Sequence, residues 1–230
     1  MTKAKKRLLL IIPVLLIGLL ALTLTLTFLV LRANADTHMG RIINANEFAI
    51  ESLEPRAIRL DKVSVKSHPV DGYCGISTVT VMSNFYNSTD LEPADLIAKY
   101  NTTGSKDMLE CLEGELPGKI ISYKSNVSNE EMLSDIHSSL CNGNPVVITF
   151  GAPNPFNEPY YDFHGSVVCG IDLDNQTITI ANVYGYVEEI SFADFLNRTS
   201  YTEIEKYPVV QQFVLVLTNW QDKNAYILVE

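Results

Sequence analysis

The 230-residue chain carries 27 Asp and Glu against 17 Lys and Arg, a formal net charge of −10, with 47% hydrophobic residues. Five of the basic residues fall in the first 35 positions, which hold no acid, so residues 36–230 carry −15. A surface this acidic repels phosphate backbones, and no basic stripe or glycine-rich phosphate loop offsets it, so nucleic acid is not expected as a partner.

Lys3, Lys5, Lys6 and Arg7 precede an uncharged run from Leu8 to Leu31, 24 residues long. That exceeds the roughly 20 residues that span a bilayer and the roughly 7–15 of a signal-peptide core. The basic flank places the N-terminus in the cytoplasm. The expectation is a cytoplasmic tail (1–7), a single transmembrane anchor (8–31), a linker (32–55) and an extracellular domain (56–230). Ala33 and Ala35 form an A-x-A pattern, so a signal cleaved near Ala35, with secretion of the remainder, stays open. Either way residues 36–230 are exported, and their length suits one domain with a substantial core.

"AIRLDKVSV" alternates and predicts a strand near 57–65. In "DGYCGISTVTVMSNFY" (71–86), β-branched content favours a strand, whereas Ile76, Val79, Met82 and Phe85 recur at the spacing of a helix face. "LEPADLIAKY" predicts a helix with Pro93 in its first turn, and "SKDMLECLEGEL" another ending near Gly114. "KIISYK" reads as a short strand. "SNEEMLSDIHSSLCNGNP" reads as a helix capped by Ser128 and stopped at Gly143, with Met132, Ile136 and Leu140 inward. "PVVITF" (145–150) is a buried strand, and "HGSVVCGIDL" and "TITIANVYG" form a hairpin. Ser191 caps a helix in "FADFL", and "VVQQFVLVL" (209–217) reads as the last strand. Helices come mainly first and antiparallel strands last, which argues for an α+β fold with the helices on one side of a sheet.

Cys74, Cys111, Cys141 and Cys169 show no CxxC spacing, so no metal site is expected and no cofactor is implied. Export permits disulfides. Two bridges are one reading. Another is a Cys111–Cys141 bridge with Cys169 buried and Cys74 free; spacing does not choose between them.

Thiol catalysis needs a thiolate, an imidazole to exchange its proton and a group to orient that imidazole. Of four histidines, His38 adjoins the membrane run, and His137 late in its helix suits a solvated or helix-dipole role. His68 and His164 remain. His164 opens "HGSVVCGI" after a long loop, a common place for functional side chains. Asn182, one strand on, can orient it only if both face the same way. A two-residue turn at Asp174-Asn175 would put Asn182 opposite Val167, on the wrong face. A three-residue loop, with Asn175 left-handed, would put it opposite Ser166, a diagonal neighbour of His164.

"YCGISTVTVMSNFY", "HGSVVCGIDLDNQTITIANVYG" and "ISFADFL" resemble the motifs of papain-like cysteine peptidases of the bacteriocin-processing-peptidase-like group. They are also similar to phytochelatin synthases, which are γ-glutamyl transferases. The resemblance runs from about Ala57 to Leu217. It implies a papain-like α+β fold, with N-terminal helices packed on a mainly antiparallel C-terminal sheet. It implies that Cys74 is a nucleophile at a helix N-terminus, where the macrodipole favours thiolate, that His164 is its base and that Asn182 is the orienter. Many relatives carry Asp where Asn182 stands. Relatives often place a Gln oxyanion donor six residues before the cysteine; that position here is His68, which becomes the oxyanion-hole candidate. Three functions stay open: a membrane-anchored extracellular thiol peptidase acting on peptide or isopeptide bonds, an acyl transferase of the same fold, and an inactive peptide- or partner-binding domain.

Overall fold

A computed structural model describes residues 3–39, 49–67, 72–102, 107–217 and 222–230. His68 lies outside them. A long helix, α1 (Lys3–Met39), comes first; its segment Ile11–Val30 has mean hydropathy 2.5 and the length to cross a membrane. The rest is one sheet with helices on both of its faces.

The sheet comprises β1 (Ala57–Arg59), β2 (Ile121–Lys124), β3 (Val146–Pro153), β4 (Tyr161–Asp172), β5 (Thr177–Asn182), β6 (Tyr186–Ser191) and β7 (Tyr226–Val229). Its order is β2-β7-β3-β4-β5-β6, with β1 pairing β4, and all these pairings are antiparallel. The strands are rich in Val and Ile, and β4 is covered on both faces, so its residues from His164 to Ile171 are all buried.

On one face lie α2 (Cys74–Asn87), α3 (Pro93–Tyr100) and α4 (Met108–Glu115). Ile76, Val79 and Met82 of α2 pack with Leu96, Leu112, Val147, Val167 and Ala181. The other face is covered by α5 (Asn129–Cys141) and α6 (Phe192–Thr199), whose Met132, Ile136, Phe192 and Phe195 meet Ile148, Phe150, Val168 and Ile180. The expected one-sided arrangement is therefore corrected: an apolar stripe on each group of helices claims its own sheet face.

Sequence signals hold where they are chemical. Ser128 Oγ accepts the Glu131 amide at 3.1 Å and Ser191 Oγ the Asp194 amide at 3.1 Å, capping α5 and α6. Pro93 stands in the first turn of α3. The segment at 74–87 is helical: Thr78 and Thr80 donate their hydroxyls to the Cys74 and Ile76 carbonyls at 2.8 and 2.9 Å, so their polar groups are satisfied inside the core.

Other expectations fail. β1 stops at Arg59, far short of residue 65. Val209–Leu217 is a helix, α7, and the last strand is β7. Packing decides that segment: Phe213 stacks on Phe28 of α1 at 3.9 Å, while Gln211 Nε2 donates to Asp162 Oδ1 at 2.6 Å. All four cysteines are free. A Cys111–Cys141 bridge is precluded because Cys111 is buried with α2 on one sheet face, while Cys141 ends α5 on the other. His137 is buried, not solvated, with Nε2 2.9 Å from the Pro55 carbonyl.

Candidate active site

Gly72, with φ of +84°, makes the turn that delivers the chain into α2, a backbone state that favours glycine. Tyr73, at the N-cap, contributes no side-chain cap, so the first N–H groups of the helix are not taken up there. The backbone N–H groups of Gly165 on β4, of Gly75 and of Cys74 itself each favour the Cys74 thiolate electrostatically. The thiol thus lies beside the residue that follows His164. Burial pushes the Cys74 thiol above its ordinary range; the Gly165 amide pulls it down, Asp162 pushes it up, and the Gly75 and Cys74 amides pull it down. The net direction is upward. A base that takes the thiol proton during attack would offset that cost.

His164 sits inside β4 rather than at its opening, because the strand begins at Tyr161, and the imidazole is 3% exposed. Its Nε2 lies 2.9 Å from Asn182 Oδ1, the last residue of β5, which is fully buried. The Tyr184 ring stacks on the imidazole at 3.9 Å and 15°. Asn182 Oδ1 also accepts the Tyr184 amide at 3.0 Å, and Gly185, at φ +105°, closes the turn with its N–H on the Asn182 carbonyl. A carbonyl oxygen only accepts, so Nε2 carries the proton and Nδ1 is the nitrogen with a lone pair for the thiol proton.

The shared face of His164 and Asn182 arises by an unexpected route. The hairpin loop has four residues: Asp172 pairs Thr177, and Gln176, not Asn175, is left-handed. That register alone would send Asn182 to the wrong face. Between the pairs Val168–Ile180 and Gly170–Thr179, however, β4 has one extra residue, Cys169. This bulge restores the register, so Val167 pairs Ala181 and the next step brings Asn182 level with Ser166, whose Oγ accepts the Val183 amide at 3.3 Å.

Sequence reasoning missed three contributors: the Gly165 amide, the Tyr184 ring and Glu188. Glu188 Oε1 accepts from Asn182 Nδ2 at 2.7 Å. The signal was present, since a hairpin from Asn182 back through β6 makes Glu188 the diagonal neighbour of Asn182. Among the described residues, no group of three or more His, Cys, Asp or Glu is arranged to hold a metal ion.

A model of the Peptidase_C39 like family matches residues 60–209. A solved structure of xylellain, a cysteine protease from Xylella fastidiosa, is 12% identical, covering 83% of this chain and 93% of that one, with a TM-score of 0.46. No curated protein matches the chain in sequence.

Proposed function

Because the chain belongs to the Peptidase_C39 like family and is a cysteine peptidase-like hydrolase, we propose that Cys74 is its nucleophile, His164 the general base and Asn182 the orienting group. The observation that carries this reading is the His164 Nε2–Asn182 Oδ1 hydrogen bond of 2.9 Å, made from the strand on which the next amide, that of Gly165, favours the Cys74 thiolate. In the proposed reaction His164 Nδ1 takes the thiol proton as sulfur attacks a peptide or isopeptide carbonyl. Oxygen develops negative charge beside the N–H groups at the start of α2, where the helix macrodipole favours it. The imidazolium then protonates the leaving amine, and water releases the acyl group from sulfur by the same base.

The catalytic domain works outside the cell, held by α1. Length and hydropathy of Ile11–Val30 support the span, and the basic N-terminus supports its orientation.

The test is a thiol-directed probe and a peptide library applied to the full-length protein in detergent. Cys74→Ala and His164→Ala should each abolish thiol-dependent hydrolysis, with the double variant losing little more, because the two act as a unit. Asn182→Ala should lose less. Full activity in His164→Ala would refute the assignment.

A further inference from the structure

Asn182 is held from behind. Its Nδ2 donates to Glu188 Oε1 at 2.7 Å and to the Tyr186 hydroxyl at 3.3 Å. The other carboxylate oxygen of Glu188 meets Arg198 Nη1 at 3.3 Å, and Arg198 Nη2 meets Asp194 at 2.7 Å. Glu188 and Arg198 are both enclosed, with side chains 15% and 9% exposed, so this is a built network rather than a surface pair.

A carboxylate only accepts and a backbone N–H only donates. The amide of Asn182 lies between the two, with Glu188 on its nitrogen and the Tyr184 N–H on its oxygen. Flipping the amide would set oxygen against carboxylate and NH2 against N–H. Only one orientation satisfies both neighbours, and it presents Oδ1 to His164 Nε2.

We propose that Glu188 is a positioning residue for the catalytic imidazole, and that its carboxylate is why position 182 holds an amide rather than an acid. This rests on the assignment of His164 as base. An acid at position 182 would bring two carboxylates to within about 3 Å, where like charges force one to take up a proton. The charge behind the imidazole is thus supplied one residue further back, through a hydrogen-bonded amide. Arg198 and Asp194 fix where that charge stands.

The experiment compares Asn182→Asp, Glu188→Gln, the double variant Asn182→Asp/Glu188→Gln and Glu188→Leu. It reads kcat and KM separately, with the pH profile, and the labelling rate of Cys74 by iodoacetamide. Labelling needs no substrate, so it reports even if the peptide substrate is misassigned; failure of His164→Ala to alter it would point to the assignment itself. Asn182→Asp should lower kcat about 10- to 100-fold with little change in KM and distort the pH profile. The double variant exchanges the two groups, so that an amide at position 188 donates to a carboxylate at position 182, and it should recover most of that loss. Glu188→Leu should lower kcat similarly, while melting temperature reports whether the fold survives. If Asn182→Asp does not fold, Glu188→Leu against Glu188→Gln decides, with Glu188→Gln retaining an acceptor for Asn182 and losing much less. Wild-type kinetics in Asn182→Asp or Glu188→Leu, or a double variant no better than Asn182→Asp, would overturn the proposal.

Discussion

The Cys74 thiol lies near enough to the backbone N–H of Gly165, the neighbour of His164 in β4, for that amide to favour its thiolate. The sheet explains why that amide is available. The Thr149 N–H bonds to the Ala225 carbonyl, so Thr149 and Gly165 face each other as a non-hydrogen-bonded pair. The Gly165 N–H therefore points the other way, past the Val167–Ala181 pair where the chain of β5 turns off. A helix entering at that gap can set its first side chain level with the sheet. The absence of a side chain at Gly165 lets α2 approach: a Cβ there would already touch Thr78 Oγ1 at 3.4 Å.

Gly165→Ala should be tolerated, since 3.4 Å is an ordinary contact. Gly165→Val adds two methyl groups beyond that limit and should push the start of α2 off the strand. Hydrolysis should fall by about 10- to 100-fold, the order expected for a misplacement near 1 Å. The labelling rate of Cys74 and the melting temperature, measured together, separate a displaced helix from an unfolded chain. Equal activity in the valine variant would contradict the close approach.

Asp162 provides an electrostatic test. Burial is the largest cause of the raised Cys74 thiol, but the negative charge of Asp162 pushes the same way. Removing that charge favours the thiolate, so Asp162→Asn should move the pH profile of Cys74 alkylation to lower pH. Cys141 is exposed and will also react, so modification should be followed on the Cys74 peptide by mass spectrometry. An unmoved or alkaline-shifted profile would place Asp162 too far away to matter.

Four unpaired cysteines, one of them exposed, make a direct chemical prediction for a domain proposed to be exported. Thiol titration of the denatured, unreduced protein should give four thiols per chain. Two would indicate a bridge, and a Cys111–Cys141 bridge would require both to lie on one side of the sheet.

The legible parts of this molecule are those with local chemistry. Ser128 and Ser191 each stand three residues before an acid at the start of an apolar-patterned run, so the starts of α5 and α6 could be read from them. The period of Ile76, Val79 and Met82 outweighed the β-branched residues between them because helix propensity differs by only a few tenths of a kcal/mol. Asn182 and His164 could be paired by face, yet the device that pairs them, the extra residue Cys169 in β4, leaves no mark in composition. Bulges are set by what both neighbouring strands must satisfy, which is information spread across the fold. The segment 209–217 misled for a related reason. "VVQQFVLVL" suits a strand by composition, and what favours the helix is tertiary: Phe213 on Phe28, Gln211 on Asp162, and Leu215 buried with Tyr201 and Tyr207.

Glu115 at the end of α4 should matter for stability more than any surface charge. Its side chain is 7% exposed. It accepts from Ser83 of α2 at 3.0 Å and, in α3, from the Tyr100 hydroxyl at 2.8 Å and Lys99 at 2.7 Å. One carboxylate thus ties α4 to α3 and to α2, the helix that carries Cys74. Burial alone would raise its carboxyl pKa, but hydrogen bonds from Lys99, Tyr100 and Ser83 outweigh that, and the net direction is downward. A carboxylate with a folded-state pKa below its unfolded value stabilises the fold above the unfolded pKa, and that contribution is lost as pH falls through the folded value. Glu115→Ala strands the Ser83 and Tyr100 hydroxyls and should cost about 1–3 kcal/mol at neutral pH. Glu115→Leu fills more of the space but strands the same donors. Urea unfolding at a series of pH values should show the gap between wild type and Glu115→Gln closing in acid. A gap independent of pH would mean that the carboxylate's charge contributes nothing and that only its shape is needed.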